Sequence, residues 1–246
     1  MTELEQLQRR LRQRFVQAFA TYSLLADGDH VLVGLSGGVD SLCLLELLAW
    51  RSGISHPQFR VEAIHVRMKN IAYETSTSYL EHFCRERQVP LHVVETSFET
   101  GGDNQDLRRQ KQPCFLCSWN RRKLLFNLAQ ELGCNKIALG HHQDDILHTA
   151  LMNLTFQGRF GTMPARLKMR KMPLTIIRPL CMIEEQDIKA YAELQGYQKQ
   201  QKICPYESQS NRTVIRRLYE QMEQMNPETR YSIWNALNTD NKMIEE

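Results

Sequence analysis

At 246 residues, 42% of them hydrophobic, the chain is long enough for one large α/β domain with helical additions and too apolar for disorder. Thirty-one Lys and Arg against 28 Asp and Glu leave a net charge of +3, so overall charge alone selects no partner. No apolar run approaches ~18 residues, which predicts no membrane span, and the opening MTELEQLQRRLRQRF lacks a signal-peptide core.

A helical pattern at 3–22 leads to a strand at 30–35 and a helix at 40–51. A strand at 60–66, a helix at 75–88 and a strand at 91–95 follow. After a polar stretch containing Cys114-Phe-Leu-Cys117 come a helix at 118–132, a strand at 136–140 and a helix at 143–156. A basic loop, a short strand at 174–178 and a helix at 184–195 precede a helical tail over 210–237, interrupted at Asn226-Pro227. Val/Ile/Leu-rich strands alternating with amphipathic helices predict an α/β, doubly wound parallel sheet with helical N- and C-terminal additions. Ligands of such sheets bind at the carboxyl ends of the strands, where strand order reverses.

Ser36-Gly37-Gly38-Val39-Asp40-Ser41 stands at such a place, between the first strand and its helix. Two glycines allow positive φ and close backbone approach, so successive N–H groups form an anion nest at a helix N-terminus. No Gly-Lys-Ser/Thr follows, as the common phosphate loop requires. Asp40 would repel phosphate unless a Mg²⁺ ion bridged them. A plain strand-to-helix turn needs neither Ser-Gly-Gly nor Asp-Ser. A second junction, Gly140-His141-His142-Gln143-Asp144-Asp145, sets two acids in the first turn of a helix.

Seven cysteines, an odd number in a chain that needs no disulfide framework, suit a reducing cytoplasm. Cys43, Cys84, Cys134 and Cys181 fall in apolar patterns, where inert buried thiols are expected. Cys114 and Cys117 alone fit half a zinc site, a redox pair or chance. With Cys204, in QKICPYESQSNR, they make three thiolates, which suits an iron–sulfur cluster with one open iron; Glu207 is a weaker fourth candidate. Basic clusters at Arg9–Arg14, at 108–111 and 121–123, and over 166–178 suit a polyanion such as RNA.

SGGVDS resembles the pyrophosphate loop of the ATP pyrophosphatases, and GHHQDD resembles their GHxxDD signature. PCFLCSWNRRKLLFNLAQELGCNKIALGHHQDDILHTALMNL, GTMPARLKM and IIRPLCMIEEQDIKAYAE are similar to stretches of the tRNA 2-thiocytidine synthetase family, over about residues 30–225. The resemblance implies an adenine-nucleotide α-hydrolase-like fold and ATP, Mg²⁺ and a [4Fe-4S] cluster as cofactors. The implied reaction adenylylates the 2-oxygen of a tRNA cytidine and replaces it with sulfur. By motif, Cys114, Cys117 and Cys204 take the cluster-ligand roles. Asp40, Asp144 and Asp145 take the catalytic ones, near the nucleotide and its metal. Ser36, Gly37, Gly38, Val39, Ser41, His65, Gly140 and His141 would contact the nucleotide. Expected partners are tRNA and a sulfur donor such as a cysteine desulfurase, with no membrane and with a homodimer left open.

The expected layout is an N-terminal helix over 1–25, a pyrophosphate-loop ATPase domain with an inserted cysteine pair over 26–225, and a tail over 226–246. The chain departs from the family in having Val39 where Lys is usual, Glu207 where a fourth cysteine would stand, and a shorter carboxyl end. Thiolation of another base or of a small molecule stays open, as do an amide ligase with incidental cysteines and a regulatory module without turnover.

Overall fold

The computed structural model describes residues 2–69, 72–73, 76–97, 113–200, 202–203 and 211–246. In chain order the elements are α1 (Glu3–Tyr22), β1 (His30–Gly34), α2 (Val39–Ser52), β2 (Arg60–Met68), β3 (Ala72–Tyr73) and α3 (Ser78–Glu86). Next come β4 (Leu91–Thr96), α4 (Pro113–Glu131), β5 (Lys136–Ala138), α5 (Gln143–Gln157), β6 (Arg166–Lys168) and β7 (Thr175–Ile177). The chain ends with α6 (Glu185–Leu194), β8 (Lys202–Ile203), α7 (Asn211–Met225), α8 (Thr229–Thr239) and β9 (Ile244–Glu245).

Seven strands form one sheet in the order β4-β2-β1-β5-β7-β6-β9. The first five run parallel, with Val31 of β1 opposite Val61 on one side and Lys136 on the other; β6 then pairs antiparallel to β7. The expected doubly wound parallel sheet is present, extended by an edge. β1 and β5 are neighbours reached by crossovers in opposite directions, so strand order reverses between them and a crevice opens at their carboxyl ends.

Period-two alternation divides the core between the two faces of the sheet. Val31, Val33, Val61 and Ala63 face the larger cluster, with α1, α2, α3, α5 and α6. Leu32, Ile64, Val66 and Ile137 face the smaller one, whose helical contribution comes from α4 among the described residues. Leu7, Leu11, Phe15 and Phe19 bury one stripe of α1 at four-residue spacing. Thr2 caps that helix: its Oγ accepts from Glu5 N at 3.2 Å, and Glu5 Oε2 accepts from Thr2 N at 2.8 Å.

The structure departs from the expected elements at the start of α4, at the β6–β9 edge and in a separate antiparallel pair of β3 with β8. α4 begins at Pro113, five residues before the predicted start, so positions 114 and 117 lie in its first two turns and not ahead of it. Proline is well suited to a first turn, because the N–H it lacks would have no helical partner there. Within the basic loop lies β6, and β9 pairs beside it; strands of two or three residues carry too little alternation to register in a sequence.

Candidate active site

Gly37 holds φ at +85°, and a Cβ there would sit 2.7 Å from Gln200 Cβ, so only glycine fits under the chain that crosses the loop. Gln200 N donates to Gly37 O at 3.0 Å. The loop is closed by its own serines. Ser41 Oγ donates to Gly38 O at 2.8 Å and accepts from Gly37 N at 3.2 Å, while Ser36 Oγ donates to Ser41 Oγ at 3.1 Å. Gly38, at the N-cap of α2, makes no side-chain cap, so the first-turn N–H groups of that helix have no side-chain acceptor there. Gly140 is needed for close approach: a Cβ on it would meet Asp40 C and Ser41 N at 3.2 Å. The two motifs thus meet backbone to backbone across the β1/β5 crevice.

The acids at this junction are not equivalent. Asp40 Oδ1 is buried with no hydrogen-bond partner, and burial pushes its carboxyl above the usual carboxylate range. Asp144 is saturated: Oδ1 accepts from Arg230 Nη2 at 2.8 Å and Oδ2 from Glu185 N at 2.8 Å. Burial alone would raise the pKa of Asp144, but His142, its Nδ1 3.6 Å from Oδ2, and the bond from Arg230 outweigh it and hold the group well below its ordinary value. Asp145, half-buried, accepts from His142 N through Oδ2 at 3.2 Å.

His142 caps α5, its Nδ1 accepting from Asp145 N at 3.4 Å. That bond needs a neutral ring, whereas the neighbouring carboxylates favour a protonated one. Burial also opposes protonation, yet Asp144, 3.6 Å from Nδ1, and the charges of Asp145 and Asp40 prevail over a long cap bond, and the pKa of His142 is raised.

The neighbouring His141 goes the other way. It is pulled down to about 4, first by burial and then by the Arg178 guanidinium, whose Nε donates to His141 Nδ1 at 3.3 Å. His65 is buried within β2, just past the level where β1 ends, its Nδ1–H donating to Leu35 O at 2.7 Å; Nε2 is buried without a partner. Burial lowers its pKa, so the ring is neutral and offers one acceptor nitrogen.

Of the three predicted cluster cysteines, Cys117 is half-buried and unpaired, and Cys114 is placed through its backbone in the first turn of α4. Cys204 and Glu207 lie outside the described residues. The thiols expected to be inert are buried: burial pushes Cys84 and Cys134 up to about 11, and Cys43 and Cys181 further.

Three site residues carry no motif. Arg178 belongs to the stretch whose charge suggests RNA, but it is buried beneath His141 and donates to Pro164 O at 2.5 Å. The available signal was its place directly after a buried strand. Arg166 and Arg170 of the same stretch pair with Glu246 and Glu245 at the sheet edge. Gln200 and Arg230 have no local signal; each reaches the site from a distant part of the chain.

A switch point with Ser-Gly-Gly-x-Asp-Ser on one strand end and Gly-His-x-x-Asp-Asp on the next defines a nucleotide site of the PP-loop class. The family model described as a PP-loop domain matches residues 4–223. A tRNA-cytidine(32) 2-sulfurtransferase of Francisella tularensis is 31% identical over 240 residues, covering 95% of this chain and 87% of the relative. The enzyme of that name from Shewanella oneidensis is 36% identical over 203 residues, covering 80% of this chain and 62% of the relative. Among solved structures, the U34-tRNA thiolase NcsA from Methanococcus maripaludis with its [4Fe-4S] cluster superposes with a TM-score of 0.74 at 25% identity, covering 96% of this chain and 79% of that one. The chain therefore belongs to the tRNA-cytidine 2-sulfurtransferase family of PP-loop proteins. No helix among the described residues is long and apolar enough to cross a membrane.

Proposed function

We propose that the protein is an ATP-dependent tRNA sulfurtransferase that adenylylates the 2-oxygen of a cytidine and replaces it with sulfur. The observation that carries this reading is the bare Asp40 carboxylate beside a helix N-terminus without a side-chain cap. One wants a cation and the other an anion, which together suit a metal-bound phosphate chain.

Both cofactors fit the residues present. Asp40 Oδ1 is an orphaned ligand of the hard oxygen type that Mg²⁺ prefers. Cys117 supplies an unpaired thiol one helical turn from position 114. Among the described residues no group of three metal-ligating side chains assembles, since the other cysteine side chains fall outside them. A [4Fe-4S] cluster on Cys114, Cys117 and Cys204 would supply an iron able to carry sulfide, and Mg²⁺ on Asp40 and Asp145 would neutralise the leaving pyrophosphate.

The chain's own groups then divide the work. The N–H groups of Gly37, Gly38 and Val39, and the hydroxyls of Ser36 and Ser41 that now satisfy one another, would bind the β- and γ-phosphates. His65 would offer its free nitrogen to the nucleotide. Asp144, already saturated, would keep the α5 N-terminus in place instead of binding metal. Arg178, and His142 when it carries the proton its neighbouring carboxylates favour, would offset charge developing at the α-phosphate. AMP departs from carbon far more readily than an unactivated oxygen, so activation must precede sulfur attack. A cysteine desulfurase as sulfur donor, a reducing cytoplasm and a homodimer belong to the same reading.

A uridine target is the second reading, favoured by the structural likeness to a uridine thiolase. Mass spectrometry of nucleosides from tRNA of the source organism, with and without the gene, separates the two. Loss of 2-thiocytidine alone is expected; loss of a 2-thiouridine would move the target base, and an unchanged profile would overturn tRNA thiolation.

A further inference from the structure

A cleft of about 220 Å³ opens between α5 and α7, next to the acid pair. It shares His142 and Asp145 with the nucleotide site, yet no residue of the 36–41 loop lines it. A group held there would therefore face the same acids as ATP without competing for the loop. The volume is below the ~300–1,000 Å³ of sites for drug-sized ligands, so the cleft suits one base with its ribose.

Its chemistry is layered. Met152, with the buried Ile215 behind it, provides an apolar surface of the kind on which a ring face rests. Thr149 and Thr213 offer hydroxyls that both donate and accept, as base edges require. His148 lies one turn beyond Asp144 and Asp145 and packs edge-on against Tyr219, the ring centroids 5.0 Å apart. Burial lowers its pKa, which leaves a neutral imidazole facing the cleft.

Positive charge stands at the mouth. Arg216 is bound to Glu185, whereas Arg212, exposed at the start of α7, has no ion pair to an acid among the described residues. Asp145 and Glu185 would repel a small anion drawn fully inside. The arrangement suits a neutral base within and a phosphodiester outside.

We propose that this cleft receives the target nucleoside of the RNA, unstacked, with its base against Met152 and a flanking phosphate on Arg212. The proposal rests on the tRNA thiolation reading and adds the place of its substrate. Bringing the base in from this side would set its 2-oxygen toward Asp145 and the α-phosphate, leaving the loop to ATP.

The test uses the full chain purified anaerobically and a tRNA transcript carrying 5-iodocytidine. After irradiation, mapping by mass spectrometry should find the adducts on peptides from α5 and the first turns of α7. Arg212→Glu, a change at an exposed position, should raise the KM for tRNA about tenfold while the KM for ATP moves less than about twofold. Adducts confined to other peptides, with an unaltered KM for tRNA in the variant, would overturn the cleft and leave thiolation standing. A wild-type protein that neither binds nor thiolates tRNA would overturn the functional reading, and the cleft would fall with it.

Discussion

The two ends of the central sheet treat their charges in opposite ways. At the amino ends of the strands, Asp29 accepts from Asn135 Nδ2 at 2.8 Å and Ala26 N at 2.7 Å, and lies 3.0 Å from Lys136 Nζ. On β2, both oxygens of Glu62 are engaged, by His30 at 2.8 Å and His92 at 2.6 Å. At the carboxyl ends Asp40 has a buried oxygen with no partner, and His65 a buried nitrogen with none. A buried carboxylate oxygen without a partner is the costliest of such atoms, because it carries charge. At the lower end these acids are paired and a ring nitrogen, His30 Nδ1, is left over, whereas at the upper end a carboxylate oxygen itself is bare and open to a ligand.

Substitutions at the two ends should separate these roles. Asp29→Ala would leave the Lys136 ammonium buried without its carboxylate, which costs about 3–5 kcal/mol. Urea unfolding should show that loss, while ATP affinity of the folded fraction stays put. Asp40→Asn should do the reverse. Pyrophosphate release should fall about a hundredfold, with an unfolding midpoint at or above that of the wild type, because burial already penalises the charge. Activity within tenfold of the wild type would remove Asp40 from the metal.

The upper end was also the part more legible in the sequence. Gly37 needs positive φ and Gly140 needs close approach, and both needs write themselves as glycine beside acids and serines. The parallel core was legible for a related reason: β1 and β5 are short runs that lead within three residues into those glycines, and β2 is rich in Val and Ile. What the chain does not announce is which distant side chain completes the site. Arg230 lies 86 residues from Asp144 and belongs to a tail helix with no motif. Arg178 reads as one more cation in a basic stretch because burial beneath His141 depends on strand order. Position 114 reads as loop because its polar, basic surroundings hide the start of α4.

Arg230 sharpens the comparison, since it gives an upper-end acid the saturation typical of the lower end. Arg230→Ala removes a bond to a buried charge, worth about 1.5–3 kcal/mol. Stability should drop by about that much, and pyrophosphate release should weaken through misplacement of Asp145. Arg230→Lys should recover only part of either, because an ammonium cannot serve Asp144 and Gln143 Oε1 together in the fork geometry seen here. Full recovery by lysine would reduce Arg230 to a charge.

The smallest effect concerns pH. His141 is held neutral, its folded pKa about 4 against about 6.5 in the unfolded chain. Below about pH 6.5 the unfolded state therefore binds the extra proton, and stability falls as pH is lowered toward 4. From about pH 7 to about pH 5.5 this group alone should cost about 1 kcal/mol. Arg178, Arg212 and His142 press on His141 in the same sense, and Asp145 opposes them. His65 and His148, also lowered, add to the slope, whereas His142, raised, subtracts from it. The measurable quantity is thus the difference between wild type and His141→Gln, whose amide oxygen can still accept from Arg178 Nε. Unfolding free energies at the two pH values should differ by about 1 kcal/mol less in the variant. An equal slope in both proteins would mean that burial and Arg178 together do not hold this imidazole neutral.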